Sequence, residues 1–308
     1  MDPVTHALIG AGISKLGGQP MTMDNPAFVG AVLGAMAPDL DIILQKWGDY
    51  VYLKNHRGIS HSFVGLPIFA GLITLCLIPF YPQMSLLSVF WWTLLGCFSH
   101  SAIDMLNSYG VQFLWPLYKK KIAFGLFIIF DPVIFLTLVL HLVLEGTAAK
   151  AALVGLVSYL VIRTSMLYGV KHNIKNHFDV SKSNVNIMPS MIGLFKWHFI
   201  VHMAETTIVG EKNIFKKQVK IFRELQLLEE QLINKVINAP VAKFFAEFTP
   251  FYHIMWDEGK KIFRFIDVRY YIRNTFLHHA TATVNDDFEV IDQKFHPYSM
   301  KRNVDIPA

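Results

Sequence analysis

The chain has 308 residues, of which 53% are hydrophobic and only 17% charged, with a net charge of +5 and a mean hydropathy of +0.38. Soluble domains carry about one quarter charged residues, so this composition excludes an ordinary soluble enzyme over the whole length. The charge is uneven: residues 1–171 hold 10 of the 28 Lys+Arg and 8 of the 23 Asp+Glu, and residues 172–308 hold the rest. A membrane-like first part, 1–171, and a soluble-like second part, 172–308, are therefore expected. The start Met1-Asp2-Pro3 lacks the basic stretch of a cleavable signal peptide. Cys76 and Cys97 both lie in apolar runs and read as fillers, without a disulfide framework.

In chain order, Asp2 is a good N-cap and Pro3 suits the first helical position, so a short small-residue helix should run to Leu16 and stop at Gly17-Gly18. Ala27–Ala37 is again apolar and rich in Gly and Ala, as closely packed membrane helices are. Pro38-Asp39-Leu40-Asp41 interrupts it. Four clearer spans are predicted over Ser62–Phe80, Leu86–Leu106, Ile122–Leu144 and Ala151–Tyr168. The expected fold is an α-helical membrane bundle, four clear spans plus two short N-terminal hydrophobic helices, with a C-terminal soluble α+β domain. Lys46, Lys54 and Arg57 precede the first span, Lys119–Lys121 follow the second, and Lys171 follows the fourth. The positive-inside rule places these regions and the C-terminal domain on the cytoplasmic side.

The C-terminal half has no span. Trp197–Val209 reads as a strand ending at Gly210, and Asn213–Asn238 as a charged amphipathic helix with Val219, Phe222, Leu225, Leu228 and Leu232 near helical spacing. A helical piece is expected from Pro240 to about Glu258. Strands then follow over Lys261–Arg273 and Thr275–Val284, the latter turning through Asn285-Asp286-Asp287 into Phe288–Lys294.

The chemistry is concentrated in Cys97–Asp104. His100 and Asp104 are four residues apart on a predicted helix, so imidazole and carboxylate share a face and can grip one divalent ion. An ionisable pair at membrane depth is functional by default, against a simple buried hydrogen bond tying helices together. Further His and Asp residues occur in DPVTH (Asp2–His6), APDLD (Ala37–Asp41), HRGISHS (His56–Ser62) and FDP (Phe130–Pro132). In the predicted topology all of them pool at the cytoplasmic end. Imidazole with carboxylate and no thiolate suits zinc or another first-row metal, as one or two ions. By contrast, His141, His198 and His202 read as structural hydrogen-bonders. His278 and His279 face opposite sides of a strand, which makes a poor metal pair.

Spans punctuated by these motifs resemble the YdjM family of bacterial membrane-bound metal-dependent hydrolases over about residues 1–170, with the pattern DPxTH, PDxD, HRGxTHS and HxxxD. Ser60 stands where that pattern has Thr and keeps the hydroxyl. The resemblance implies a multi-pass inner-membrane hydrolase holding a divalent metal, zinc above all. Carried over residue by residue, it makes His6, Asp39, His61, His100 and Asp104 metal ligands, with Asp41 and His56 as ligands or as partners that orient one. Arg57 is expected to hold a substrate phosphate or to act as a topology residue. Asp131 is expected to be a ligand, a general base, or the group that satisfies a helix break.

The leading expectation is an enzyme in which metal-activated water attacks an ester or phosphoester of a lipid or lipid-linked substrate at the cytoplasmic leaflet. The alternative is a non-enzymatic transporter or ion-binding protein using Asp39, Asp104 and Asp131, and a third reading is an assembly scaffold. Nucleic acid is not an expected partner, because basic residues alternate with acidic ones and no recognition motif appears.

Overall fold

The computed structural model describes residues 1–298 and 300–306. The chain divides into two compact units, residues 1–44 with 55–165 and residues 45–54 with 166–308.

The first unit is helical. Helix α1 (Pro3–Leu16) starts as its sequence predicts: Asp2 is the N-cap, its carboxylate accepting from the Thr5 amide, and Pro3 opens the first turn. Helix α2 (Pro26–Met36) is capped by Asn25, and from Ala37 the chain tightens into a 3₁₀ helix that continues to Trp47. That change of pitch occurs where Pro38 removes an amide donor. Helix α3 (Asp49–Asn55) belongs, except for its last residue, to the second unit. A single 3₁₀ turn, Ile59–His61, leads into α4 (Gly65–Leu77), and α5 (Leu86–Met105) is capped by Ser85.

Close approach of α1, α2 and α5 depends on glycine. A Cβ on Gly34 would meet the Thr93 carbonyl oxygen at 2.2 Å, one on Gly96 the Ala31 carbonyl oxygen at 2.2 Å, and one on Gly10 that same oxygen at 2.6 Å. Small residues let backbones touch where lipid supplies no hydrophobic drive between helices. Ile68 and Leu72 of α4, Trp91 and Leu95 of α5, and Val157 and Val161 of the helix Gly146–Phe178 are exposed, the pattern of a lipid-facing surface.

Three helices are long and apolar enough to cross a membrane, Pro26–Trp47 (α2 with its 3₁₀ continuation), α5 and Gly146–Phe178 (α7); the number rises to four if the pair Asp49–His61 and Gly65–Leu77, bent by 82°, is one span. The expected span Ile122–Leu144 is corrected. Only Pro132–Val143 (α6) is helical, twelve residues, against about 20 for a full crossing. Residues 122–130 are irregular, bridging Val111 to Ile122 and Asn107 to Phe127. An apolar run without helical pairing needs other partners for its polar backbone. One is Arg163 of α7, buried, whose Nε and Nη2 donate to the Leu126 carbonyl at 3.0 and 2.7 Å.

The second unit contains two sheets. Strands β1 (Val185–Pro189), β2 (Lys196–His202), β3 (Thr206–Asn213) and β4 (Val219–Gln226) form an antiparallel meander. Val170 and Ile174 of α7 pack on one face against Val185, Trp197, Phe199 and Val201. Helices α8 (Glu230–Val236) and α9 (Pro240–Phe248) follow, and α9 covers a five-stranded sheet ordered β11-β10-β9-β6-β5. Its strands are β5 (Tyr252–Asp257), β6 (Ile262–Asp267), β9 (His278–Val284), β10 (Val290–Pro297) and β11 (Val304–Asp305); β7 (Tyr271–Ile272) and β8 (Thr275–Phe276) make a separate hairpin.

Three expectations are corrected here. Trp197–Val209 is not one strand but a hairpin, β2 and β3 turning at Met203–Glu205. The predicted helix Asn213–Asn238 is mostly β4, because pairing Val219–Gln226 with β3 completes the sheet, and only Glu230–Val236 stays helical. The predicted helical piece from Pro240 stops at Phe248, and Tyr252–Asp257 pairs with β6.

Candidate metal centre

Each candidate ligand enters from a helix end. His100 and Asp104 occupy the last turns of α5, Asp39 lies just beyond α2, and His61 ends the 3₁₀ turn before α4. One donor atom from each of these four lies within 4.8 Å of all the others. His61, His100 and Asp104 are fully buried, and the Asp39 side chain is 26% exposed, the one opening of the quartet to its surroundings.

Three donors converge tightly. His61 Nε2 and His100 Nε2 are 3.1 Å apart, and Asp39 Oδ1 stands 3.5 Å from the former and 3.4 Å from the latter. Corners of a tetrahedron around zinc, with bonds of about 2.0–2.1 Å, are about 3.3–3.4 Å apart. The spacing is thus that of three ligands on one ion.

The ring partners fix which nitrogen faces inward. His100 Nδ1 donates to the Ala35 carbonyl at 2.7 Å. Ser60 Oγ donates to Asp41 Oδ2 at 3.0 Å, so its lone pair accepts from His61 Nδ1 at 2.9 Å. Each neutral ring carries its one proton on Nδ1. Both Nε2 lone pairs then point at one another and at the Asp39 carboxylate. Such an arrangement repels itself unless a cation sits between the donors, and the residues present therefore fit a metal. The backing of each imidazole by a carbonyl or a hydroxyl–carboxylate pair is the arrangement that orients metal-binding histidines.

Around this core the other candidates separate. Asp41 is not among the converging donors: its Oδ1 meets His56 Nδ1 at 2.9 Å, and its Oδ2 accepts from the Arg57 amide and Ser60 Oγ, both at 3.0 Å. It holds the loop that presents His61. His56, placed on Asp41, presents a half-exposed ring. His6 is buried and stacks on His100 with centroids 3.7 Å apart, and its Nε2 lies 3.4 Å from Asp104 Oδ1 and 2.9 Å from the α-amino group of Met1, which also contacts Asp104. His6 therefore adjoins the quartet on the Asp104 side.

Arg57 is buried, with Nη2 3.0 Å from Asp104 Oδ2 and Nη1 donating to Asn107 Oδ1 at 3.0 Å. It neutralises and aims Asp104. Asp131 takes the helix-break role among those expected of it: it caps α6, its carboxylate accepting from the Val133 and Ile134 amides at 3.0 and 3.3 Å and from the Tyr159 hydroxyl at 2.8 Å.

Four contributors escape the sequence reading. Ala35 acts through its carbonyl, which no side-chain pattern reveals. Ser60 was legible as a retained hydroxyl, though not as the partner of His61. Asn107 braces the loop after α5: its Oδ1 accepts from the Tyr109 and Gly110 amides and from Arg57 Nη1, and its Nδ2 donates to Asp104 Oδ1 at 3.3 Å. The Met1 amine carries no signal at all.

A helical apolar unit enclosing an imidazole–carboxylate cluster, joined to a mixed α/β unit, defines a membrane protein with a candidate metal centre. The YdjM inner membrane protein family matches residues 1–172, more than half of the chain, and the chain belongs to that family. The YfhP C-terminal alpha/beta plait domain matches residues 231–304. The chain is also similar to the uncharacterized protein YfhP of Bacillus subtilis (strain 168), 28% identical over 94% of this chain and 93% of that protein. No solved structure matches.

Proposed function

We propose that the protein is a membrane-embedded, metal-dependent hydrolase acting on an ester or phosphoester of a lipid or lipid-linked substrate. The observation that carries this reading is the inward convergence of two imidazole Nε2 atoms and one carboxylate at tetrahedral spacing. Asp39, His61, His100 and Asp104 hold zinc or another divalent ion. A second ion would be held by His6 and Asp104, between which the structure seats the Met1 amine.

A divalent ion in such a site supplies a Lewis acid that polarises a phosphoryl or acyl oxygen and makes water acidic near neutral pH. The chain's own residues supply the rest. Ser60 and Asp41 hold His61, the Ala35 carbonyl holds His100, and Arg57 holds Asp104. The partly open Asp39 lies where a substrate headgroup would enter, and His56, half-exposed beside Asp41, is placed to accept a proton and pass it to solvent. Family membership supports a bacterial inner-membrane location. The distribution of Lys and Arg supports a multi-pass topology of four spans with residues 172–308 in the cytoplasm.

The test is hydrolysis of phospholipid and lipid-linked phosphate substrates by protein purified in detergent, with and without added zinc. Metal-dependent release of product by the wild type, absent from His61→Ala, is expected. No release from either substrate class, with metal bound, would remove the hydrolase reading and leave an ion-binding membrane protein.

A further inference from the structure

A second polar site lies within the C-terminal unit. Register places His198, Glu211 and Lys220 side by side across β2, β3 and β4. Alternation puts Lys196, two residues along β2, on that same face, and Phe222, the bulged residue of β4, lines the site beside it together with Arg223. The β7–β8 hairpin closes over it, turning at Arg273 and Asn274 with φ of 51° and 65°. Between hairpin and sheet is a cavity of about 460 Å³, within the range of about 300–1,000 Å³ typical of small-ligand sites.

Its walls combine two features. Phe222 and Tyr271 stack on each other, centroids 5.2 Å apart and planes 26° off parallel. Lys220 Nζ lies over the Phe222 ring at 5.4 Å and Arg223 over the Tyr271 ring at 5.3 Å. With Lys196 and Arg273 that makes four cations facing one carboxylate, Glu211, whose Oε1 stands 3.4 Å from Lys196 Nζ. Burial lowers the pKa of His198, so its ring adds no charge at pH 7. An aromatic wall beside surplus positive charge suits a ligand that is planar at one end and phosphorylated at the other. Glu211 and the Ser190 hydroxyl, 3.4 Å apart, suit the hydroxyls and amino groups of such a ligand.

We propose that this cavity binds a nucleoside phosphate, with the base against Phe222 and Tyr271 and the phosphates on Lys196, Lys220 and Arg273. The strands that form most of it, β2 to β4, fall between the two matched family segments, residues 1–172 and 231–304. It is separate from the His/Asp centre, and binding there is independent of the hydrolase reading.

The experiment is calorimetric titration of the full-length protein in detergent with ATP, ADP and inorganic phosphate. Saturable binding of ATP or ADP is expected, with inorganic phosphate weaker by roughly tenfold or more because it lacks the ring. Lys220→Gln combined with Arg273→Asn, which suits the left-handed turn, should weaken nucleotide by roughly tenfold or more while the melting temperature stays unchanged. Tyr271→Ala should narrow the preference for nucleotide over phosphate. His100→Ala should leave nucleotide binding intact, which separates this site from the metal centre. The proposal is overturned if the wild type shows no saturable nucleotide binding, if the double variant binds as the wild type does, or if phosphate binds as tightly as ATP. It is equally overturned if the double variant loses only binding to phosphatidylglycerol vesicles, since the cations would then serve a lipid surface.

Discussion

Replacing Ser60 with Ala tests the tautomer argument without touching a metal donor. In the native centre Ser60 Oγ accepts from His61 Nδ1 at 2.9 Å. The next acceptor, Asp41 Oδ2, stands 3.8 Å from that nitrogen, too far for a hydrogen bond. Without the hydroxyl nothing holds the ring, and its proton is free to move to Nε2, where it blocks the donor. Loss of such an orienting partner typically weakens metal binding about 10- to 100-fold, or about 1.4–2.8 kcal/mol. Zinc affinity measured by competition with a chromophoric chelator in detergent should fall by that factor in Ser60→Ala and recover in Ser60→Thr, the residue of the family pattern. Equal affinity in wild type and Ser60→Ala would refute the assignment of His61 Nε2 as an oriented donor.

Other consequences are as direct. Arg57→Ala breaks a buried ion pair of the Asp104 carboxylate, which costs up to about 3–5 kcal/mol; a thermal melt unchanged from wild type would contradict the pairing. Gly96→Ala drives a methyl into the Ala31 carbonyl, where the contact would be 2.2 Å. The resulting shift of α5 against α2 should cost about 1–3 kcal/mol and lower metal affinity, because His100 and Asp39 ride on those two helices; chelator competition reads it. In the C-terminal unit, burial lowers the His278 pKa from 6.5 to about 4. The unfolded chain takes up that proton near pH 6.5 and the folded chain only near pH 4, so stability from this group is full above 6.5 and falls as pH drops towards 4. The loss is about 3 kcal/mol at most. Hydrogen exchange along β9 should accelerate over that window in the wild type and less in His278→Gln.

How much of this was legible depends on what each residue uses. Asp2-Pro3 announces α1 through capping chemistry, and His100 and Asp104 announce a shared face through spacing alone, and the structure has both. Asp39 and His61 could be named as candidates from motifs, but their meeting with His100 requires α2 to lie against α5, which the glycine contacts at 34 and 96 impose. The span Ile122–Leu144 misled because Phe130-Asp131-Pro132 sits inside an unbroken apolar run. Hydropathy cannot separate a span from an irregular segment whose carbonyls are satisfied by a distant arginine. β4 misled for the related reason that Val219, Phe222 and Leu225 fall at helical spacing while the open edge of β3 supplies pairing no local window contains. The Ala35 carbonyl is the limiting case, since backbone atoms leave no trace in residue identity.

Metal content of the purified protein, measured by elemental analysis after exhaustive dialysis, bears most directly on the centre. The wild type should retain divalent metal in at least equimolar amount, as should Asp131→Asn, whose carboxylate caps a helix. His100→Ala should retain almost none while still inserting in the membrane. A metal-free wild type after growth in zinc-supplemented medium, or a His100→Ala protein as loaded as the wild type, would contradict the centre outright.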